Sequence, residues 1–252
     1  MPYVQSEGVQ IYYEVHGEGP ALLLQHGTLG SREDWRAIGY FEALKDQYQI
    51  VLVDARGHGK SDKPHENEAY QSKNFAKDVL AVMDDAGLEK VIFWGYSLGA
   101  RIGFELANIA PHRVQAFILG GGSPYLRESS LNIDGGKNDQ IAARDAVLGS
   151  MGMTYDGLPV EAQEAISGND FIAIAATYIT RPSLENVLPK MTMPCLVYVG
   201  ENDGRFEKAK KSAQEIPGAI FRSLPNLSHL EGLVVKEAVM PHILEFLSKL
   251  AR

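Results

Sequence analysis

From residue 21 to residue 224 the chain returns repeatedly to one pattern, a short unbroken apolar run that ends on glycine or a polar residue. The runs are ALLLQ at 21–25, IVLVD at 50–54, VIFWG at 91–95, AFILG at 116–120, CLVYVG at 195–200 and AIFRSL at 219–224. Unbroken apolar character over so few positions predicts strands covered on both faces, hence a mainly parallel sheet. Residues 3–16 instead alternate, as in Val9-Gln10-Ile11-Tyr12-Tyr13-Glu14-Val15. With Ser6-Glu7-Gly8 as the turn, they predict a β-hairpin.

Helical periodicity fills the gaps. Phe75, Val79, Val82 and Met83 share a face of 72–86, and Gly87 ends that run. Residues 98–109 form another helical pattern. A third, 234–250, carries Val235, Val239, Ile243, Phe246, Leu247 and Leu250 on one side. Strand and helix in alternation predict a doubly wound α/β sheet with right-handed crossovers. One interval breaks the rhythm: about 70 residues separate AFILG from CLVYVG, far more than one crossover needs. That segment holds Ser129-Ser130, Gly135-Gly136, Gly149, Gly152 and Gly157, with helical pieces at 139–148 and 169–180. The expectation is a core of residues 1–122 and 191–252, interrupted by a small helical lid over 123–190.

Bulk properties narrow the classes. At 252 residues the chain fits one large domain that buries a sizeable core without disulfides. A net charge of -8 argues against nucleic acid as partner, which calls for clustered Lys and Arg. The single cysteine, Cys195, lies in a buried-strand pattern and cannot form an intramolecular disulfide, which suits a reducing compartment. MPYVQSEGVQ at the start has no signal-peptide pattern, and no apolar run reaches the ~18 residues of a membrane helix. A cytoplasmic location with no membrane partner is therefore expected.

In open α/β sheets ligands bind beyond the carboxyl ends of the strands. The residues there are His26-Gly27-Thr28, Asp54 to Gly59, Gly95 to Gly99, Gly120 to Ser123, Glu201-Asn202-Asp203 and Asn226 to His229. Ser97 stands between Gly95 and Gly99, with a strand before it and a helix after it. A strand turning directly into a helix strains the corner residue, and neighbours two positions away crowd it unless they lack a β-carbon. The corner side chain is held clear of the sheet, and the next amide, that of Leu98, is free to meet negative charge. This is the Gly-x-Ser-x-Gly nucleophile elbow; the plainer alternative is a Gly-rich turn.

A serine hydroxyl needs a base. His16, His65, His112 and His242 lie in a hairpin, a polar loop or helices, where solvated or structural roles suffice. His229 follows the last strand at the active edge, and Asp203 ends the preceding strand at the same edge. The order Ser97, Asp203, His229 is nucleophile, acid, base. Glu201 and Asp54 compete with Asp203, and Arg56 is a candidate partner that would make Asp54 structural. A second oxyanion donor is expected from the Thr28 amide, with Leu29 as runner-up, and His26 is expected to order that loop. Trp35, Tyr96, Tyr125, Phe171, Tyr178 and Phe206, with Met151 and Met153, are candidates for the pocket wall; core packing competes for each.

Together these residues resemble the α/β-hydrolase superfamily, and within it the lid-bearing esterase, lactonase and C–C hydrolase branch. The resemblance covers nearly the whole chain: the hairpin, His26-Gly27 with Trp35 eight residues on, Asp54-x-Arg56-Gly57-His58-Gly59-x-Ser61, the elbow, and both distal residues. It implies the α/β-hydrolase fold, a mostly parallel eight-stranded sheet flanked by helices with a lid after the sixth strand. It also implies that the segment from Asp54 to Ser61 is structural. Gly204 stands where the family commonly has proline after the acid, and Ser228 where glycine often precedes the histidine. The lid is somewhat short for the family.

The expected activity is hydrolysis of a small-molecule carboxylic ester or lactone through a Ser97 acyl-enzyme. C–C bond hydrolysis, cofactor-free perhydrolysis or haloperoxidation, and a ligand receptor on the same fold are the alternatives. An aspartate nucleophile, as in epoxide- and halide-processing relatives, is replaced here by Ser97. Gly57-His58-Gly59-Lys60-Ser61 resembles the end of a phosphate-binding loop, but Asp54 stands where that motif needs glycine. No Gly-x-Gly-x-x-Gly follows a strand and no cluster has metal spacing, so no cofactor or metal is expected.

Overall fold

The computed structural model describes residues 2–128, 131 and 139–250. Ser129-Ser130 and Gly135-Gly136 of the inserted segment lie outside the described residues. The chain opens with a hairpin, β1 (Tyr3–Ser6) and β2 (Val9–His16), joined through Glu7-Gly8. Then follow β3 (Ala21–Gln25), two short helices α1 (Glu33–Ala37) and α2 (Tyr40–Leu44), and β4 (Gln49–Val53). Next come α3 (Ser72–Asp85), β5 (Val91–Tyr96), α4 (Leu98–Ile109) and β6 (Val114–Gly120). The insertion carries α5 (Gln140–Gly149), α6 (Val160–Ser167) and α7 (Phe171–Ala176). The chain closes with β7 (Cys195–Gly200), α8 (Phe206–Glu215), β8 (Ile220–Leu224), α9 (Glu231–Val234) and α10 (Lys236–Leu250).

The strands form one eight-stranded sheet in the order β1-β2-β4-β3-β5-β6-β7-β8. The hairpin strands pair antiparallel, and every pair from β4 to β8 is parallel. The unbroken apolar runs have the cause the pattern implies. Successive side chains alternate between two cores because strand periodicity is two. Leu23, Val51, Val53, Phe93 and Val197 face α3, α4 and α8. Leu22, Leu24, Ile50, Leu52, Trp94 and Leu196 face α1, α2 and α10.

Four helices were not expected from the pattern, α1, α2, α6 and α8, and α7 is shorter than the 169–180 run. Helix α8 reads FEKAKKSAQE; its buried face is Ala209, Ser212 and Ala213, too small and polar to register as an apolar stripe. The final helix is broken at Val235 into α9 and α10. Among the described residues, no helix is long and apolar enough to cross a membrane.

The insertion leaves the sheet after β6 and returns before β7. Its base is a two-stranded neck: Arg127 and Arg181 exchange backbone hydrogen bonds of 3.0 and 2.8 Å, and the Leu184 amide donates to Pro124 O at 2.8 Å. Arg101 of α4 clamps both sides, donating to Pro124 O at 2.6 Å and to Pro182 O. Burial pushes the Arg101 guanidinium down to about 10. Above the neck a small core of Ala143, Val147, Phe171, Ile174, Ala175 and Tyr178 joins α5 to α7.

Candidate active site

Ser97 occupies the corner between β5 and α4 with φ 53° and ψ −105°. Its amide donates to Gly120 O at 2.8 Å, which pins the corner to β6. The flanking glycines are required by contact. A β-carbon on Gly95 would lie 2.3 Å from the Gly99 carbonyl carbon, and one on Gly99 would lie 2.1 Å from Gln25 O. The N-terminus of α4 is thereby pressed against the end of β3, where the 26–30 loop begins.

The loops after β7 and β8 are tied to each other. The Asn202 amide donates to Leu227 O at 2.9 Å and its side chain to Asn226 O at 2.8 Å. Ser228 and Glu231 form the reciprocal pair of a capping box, Ser228 N to Glu231 Oε2 at 2.8 Å and Glu231 N to Ser228 Oγ at 3.4 Å. Tyr96 O–H donates to the His229 carbonyl, and its ring lies 5.4 Å from the imidazole. His229 is therefore held from its backbone, its ring face and the turn that follows it.

These constraints bring three expected side chains together. His229 Nε2 is 3.0 Å from Ser97 Oγ, and His229 Nδ1 is 2.6 Å from Asp203 Oδ2. The second carboxylate oxygen of Asp203 accepts from the Arg205 amide at 2.9 Å. Burial opposes ionisation of Asp203, but the hydrogen bond and charge of His229 and the Arg205 amide outweigh it and hold the carboxyl below its ordinary value. An ionised Asp203 accepts from Nδ1–H, which leaves Nε2 as a lone pair facing the serine hydroxyl.

The 26–30 loop lies against the serine: a β-carbon on Gly27 would sit 3.3 Å from Ser97 Cβ. His26 orders this loop. Its Nε2 accepts from the Ala55 amide at 3.0 Å, so the proton sits on Nδ1 and is donated to Gly27 O at 2.8 Å. Among the described residues, no hydrogen bond occupies the amides of Thr28, Leu29 or Leu98.

Other expectations change. Asp54 is paired with Arg32 rather than Arg56, accepting from Arg32 N at 2.8 Å and Nη1 at 2.6 Å; Arg56 pairs with Asp78 at 2.6 Å. Trp35 is 1% exposed and packs on Trp94 and Tyr40 between the sheet and α1–α2, so it is a core residue and not a pocket wall. Tyr96, 2% exposed, supports His229 rather than lining a wall. Phe206, the first residue of α8, packs on Phe221 of β8, and Tyr125 reaches Glu215 and Lys211 on the same helix. Phe171 and Tyr178 belong to the small core of the insertion. Met151 is exposed at that segment's surface. The sequence reading missed the Tyr96 support, the Asn202 cross-tie and the Arg101 clamp. Only the capping box had a visible signal, Ser228-x-x-Glu231.

The profile of a family described as alpha/beta hydrolase fold matches residues 20–149, just over half of the chain. The protein belongs to that family. Solved structures agree on the fold: the enol-lactonase from Burkholderia xenovorans LB400 superposes with a TM-score of 0.82 at 21% identity, covering 98% of this chain and 100% of that one. A RutD protein of Azorhizobium caulinodans, named provisionally for carbamate hydrolysis, is 35% identical over 122 residues, 48% of this chain. The match spans 44% of that relative's length. A Bacillus subtilis (strain 168) protein, named provisionally as 2-succinyl-6-hydroxy-2,4-cyclohexadiene-1-carboxylate synthase, is 26% identical over 251 residues, covering 89% of each chain. This α/β hydrolase is thus similar to proteins named for lactone hydrolysis, for carbamate hydrolysis and for a synthase reaction.

Proposed function

We propose that this α/β hydrolase cleaves small carboxylic esters or lactones through an acyl-enzyme on Ser97. The observation that carries the reading is the continuous series Asp203, His229, Ser97, with contacts of 2.6 and 3.0 Å. His229 Nε2 takes the hydroxyl proton as Ser97 Oγ attacks the substrate carbonyl, and Asp203 stabilises the imidazolium that forms. The tetrahedral oxyanion is met by the amides of Leu98 and Thr28, preorganised donors of which each is worth about 3 kcal/mol in such sites. Collapse expels the alcohol, which leaves with the proton from His229. Water, deprotonated by the same nitrogen, then releases the acid. Residues 123–190 act as the lid of this site, mounted on the Arg101-clamped neck. The enol-lactonase likeness supports a lactone among the substrates.

The test is turnover on a panel of p-nitrophenyl esters, linear esters, small lactones and homoserine lactones, with Ser97→Ala as control. Hydrolysis that is lost in the alanine variant, with rapid fluorophosphonate labelling of the wild type at Ser97, is expected. Hydrolysis undiminished by Ser97→Ala, or labelling without turnover of any member, would overturn the proposal.

A further inference from the structure

The loop that carries the Thr28 amide is held in a conformation that its own sequence disfavours. Leu29 has φ 69°, in the left-handed region, where a β-carbon presses on the following carbonyl. The Gly30 amide donates to Gly27 O at 3.2 Å, closing a four-residue turn. Since Leu29 has positive φ and Thr28 does not, the turn is type II, a form that ordinarily places glycine where Leu29 stands.

The insertion supplies what holds it. The Leu29 carbonyl accepts from Asn169 Nδ2 at 3.0 Å, and its side chain packs against the core formed by Val147, Phe171 and Ile174. Asn169 sits between α6 and α7 in a built frame. Its amide donates to Ile166 O at 3.1 Å, and the adjacent Asp170 caps α7 through Ala173 N at 3.1 Å. Asp170 also meets His65 of the core at 2.9 Å. The carbonyl can only accept, so the amide nitrogen of Asn169 must face it.

We infer that Asn169 is a positioning residue that keeps the Gly27–Gly30 turn in its type II form, so that the Thr28–Leu29 peptide presents its N–H and not its carbonyl beside the Thr28 amide. The inference rests on the ester or lactone hydrolase reading. Released from Asn169, Leu29 relaxes to negative φ and the turn becomes type I. The peptide between Thr28 and Leu29 then flips, exchanging the Leu29 N–H for the Thr28 carbonyl oxygen. The Thr28 amide, on the preceding peptide, is not itself exchanged; a carbonyl oxygen now stands beside it in place of the Leu29 N–H and opposes the negative charge that amide is proposed to meet. The site works at full rate only while the insertion is seated.

Steady-state kinetics on p-nitrophenyl acetate test this with wild type, Asn169→Ala, Asn169→Asp, Leu29→Gly and the double variant Leu29→Gly/Asn169→Ala, with Tm recorded for each. Asn169→Ala is expected to lower kcat about tenfold with KM within about twofold, a change confined to the transition state. Asn169→Asp keeps the size but has no N–H to donate, and falls at least as far. Glycine adopts the left-handed conformation without a clash. In the Leu29→Gly background, Asn169→Ala therefore lowers kcat by no more than about threefold, the coupling expected of residues in contact. Values of kcat within twofold of wild type for both Asn169 variants would overturn the inference and leave the hydrolase reading standing. So would a change in KM alone, or the same loss in both Leu29 backgrounds. Absence of Ser97-dependent turnover in the wild type would remove the reading, and this inference with it.

Discussion

Replacing Asp203 by asparagine tests the hydrogen-bonded series at its least exposed member. Asp203 has two acceptor oxygens and two fixed donors, His229 Nδ1 at 2.6 Å and the Arg205 amide at 2.9 Å. Asparagine offers one oxygen. If that oxygen stays on the Arg205 amide, the NH2 group faces His229 and donates to Nδ1. The imidazole proton then sits on Nε2, pointing at Ser97 Oγ, and the base is lost. The opposite orientation sets NH2 against the Arg205 N–H and strands a donor, at a cost of about 1–3 kcal/mol. The inactive arrangement is therefore favoured, and what remains lacks the negative charge that stabilises the imidazolium. In serine proteases the same exchange lowers kcat about 10⁴-fold, or about 5.4 kcal/mol at 1.36 kcal/mol per decade. The assay is hydrolysis of a p-nitrophenyl ester at pH 7–8, with Tm measured to establish that the variant is folded. A folded variant within about tenfold of wild type would refute the reasoning, because another carboxylate would then be setting the tautomer of His229.

Other expectations concern the scaffold. Arg101→Met strands the carbonyls of Pro124 and Pro182 that the guanidinium satisfies, each unmade bond costing about 1–3 kcal/mol. Limited proteolysis is expected to cut within 123–190 faster than in wild type, and equal rates would show that the clamp does not hold the neck. Burial holds the His58 imidazole down to about 3, below its unfolded value near 6.5. The unfolded chain thus takes the proton first: stability is full above about pH 6.5 and falls by up to about 1.4 kcal/mol per pH unit toward 3. Urea titrations from pH 7 to pH 4 are expected to give a shallower slope for His58→Asn than for wild type. For Glu14, burial opposes ionisation, but hydrogen bonds from Arg32, His16, Arg36 and Tyr12 outweigh it and hold the carboxyl well below its ordinary range. Its contribution is present above the unfolded value near 4.5 and lost as pH falls below it. Because the group is partly exposed, Glu14→Gln is expected to cost only about 1 kcal/mol at pH 7, and progressively less as the pH falls below about 4.5.

The parts of this molecule that were readable in the sequence are those with a repeating physical cause. Strands β3 to β7 each present apolar side chains to two cores, so their runs are unbroken and their ends mark one edge of the sheet. Ser97 and Asp203 could be picked out because each follows such an end, and His229 because it follows β8 at the same edge. Helix α8 could not, because it buries two alanines and a serine, and short side chains leave no stripe. Trp35 was misplaced for a related reason. An aromatic residue near a catalytic loop has the same signature whether it faces a pocket or a neighbouring Trp94, and only the third dimension separates them. The partner of Asp54 was misread because Arg56 is closest along the chain, whereas Arg32 comes from the segment after β3, the strand beside β4.

Backbone strain marks the same edge independently of any catalytic reading. Among the described residues, the non-glycine positions with positive φ are Glu7, Leu29, Ser97 and Asn226. Glu7 belongs to the hairpin turn, where glycine-like conformations are ordinary. The other three stand in the loops after β3, β5 and β8, each within three residues of a group proposed to act on substrate. Such conformations persist only where surrounding structure over-determines them. Here Ser97 is held by Gly120 O, Asn226 by the Asn202 side chain, and Leu29 by Asn169. The first two clamps are built from the sheet and its own loops, which the two-sided core makes rigid. The third comes from the insertion, joined to the sheet through a neck of a few hydrogen bonds. If one element of the site responds to motion of that segment, it is the 26–30 loop, while the serine, histidine and aspartate stay in register with the sheet. A substrate that seats the insertion more firmly would then raise kcat without altering the contacts among those three side chains.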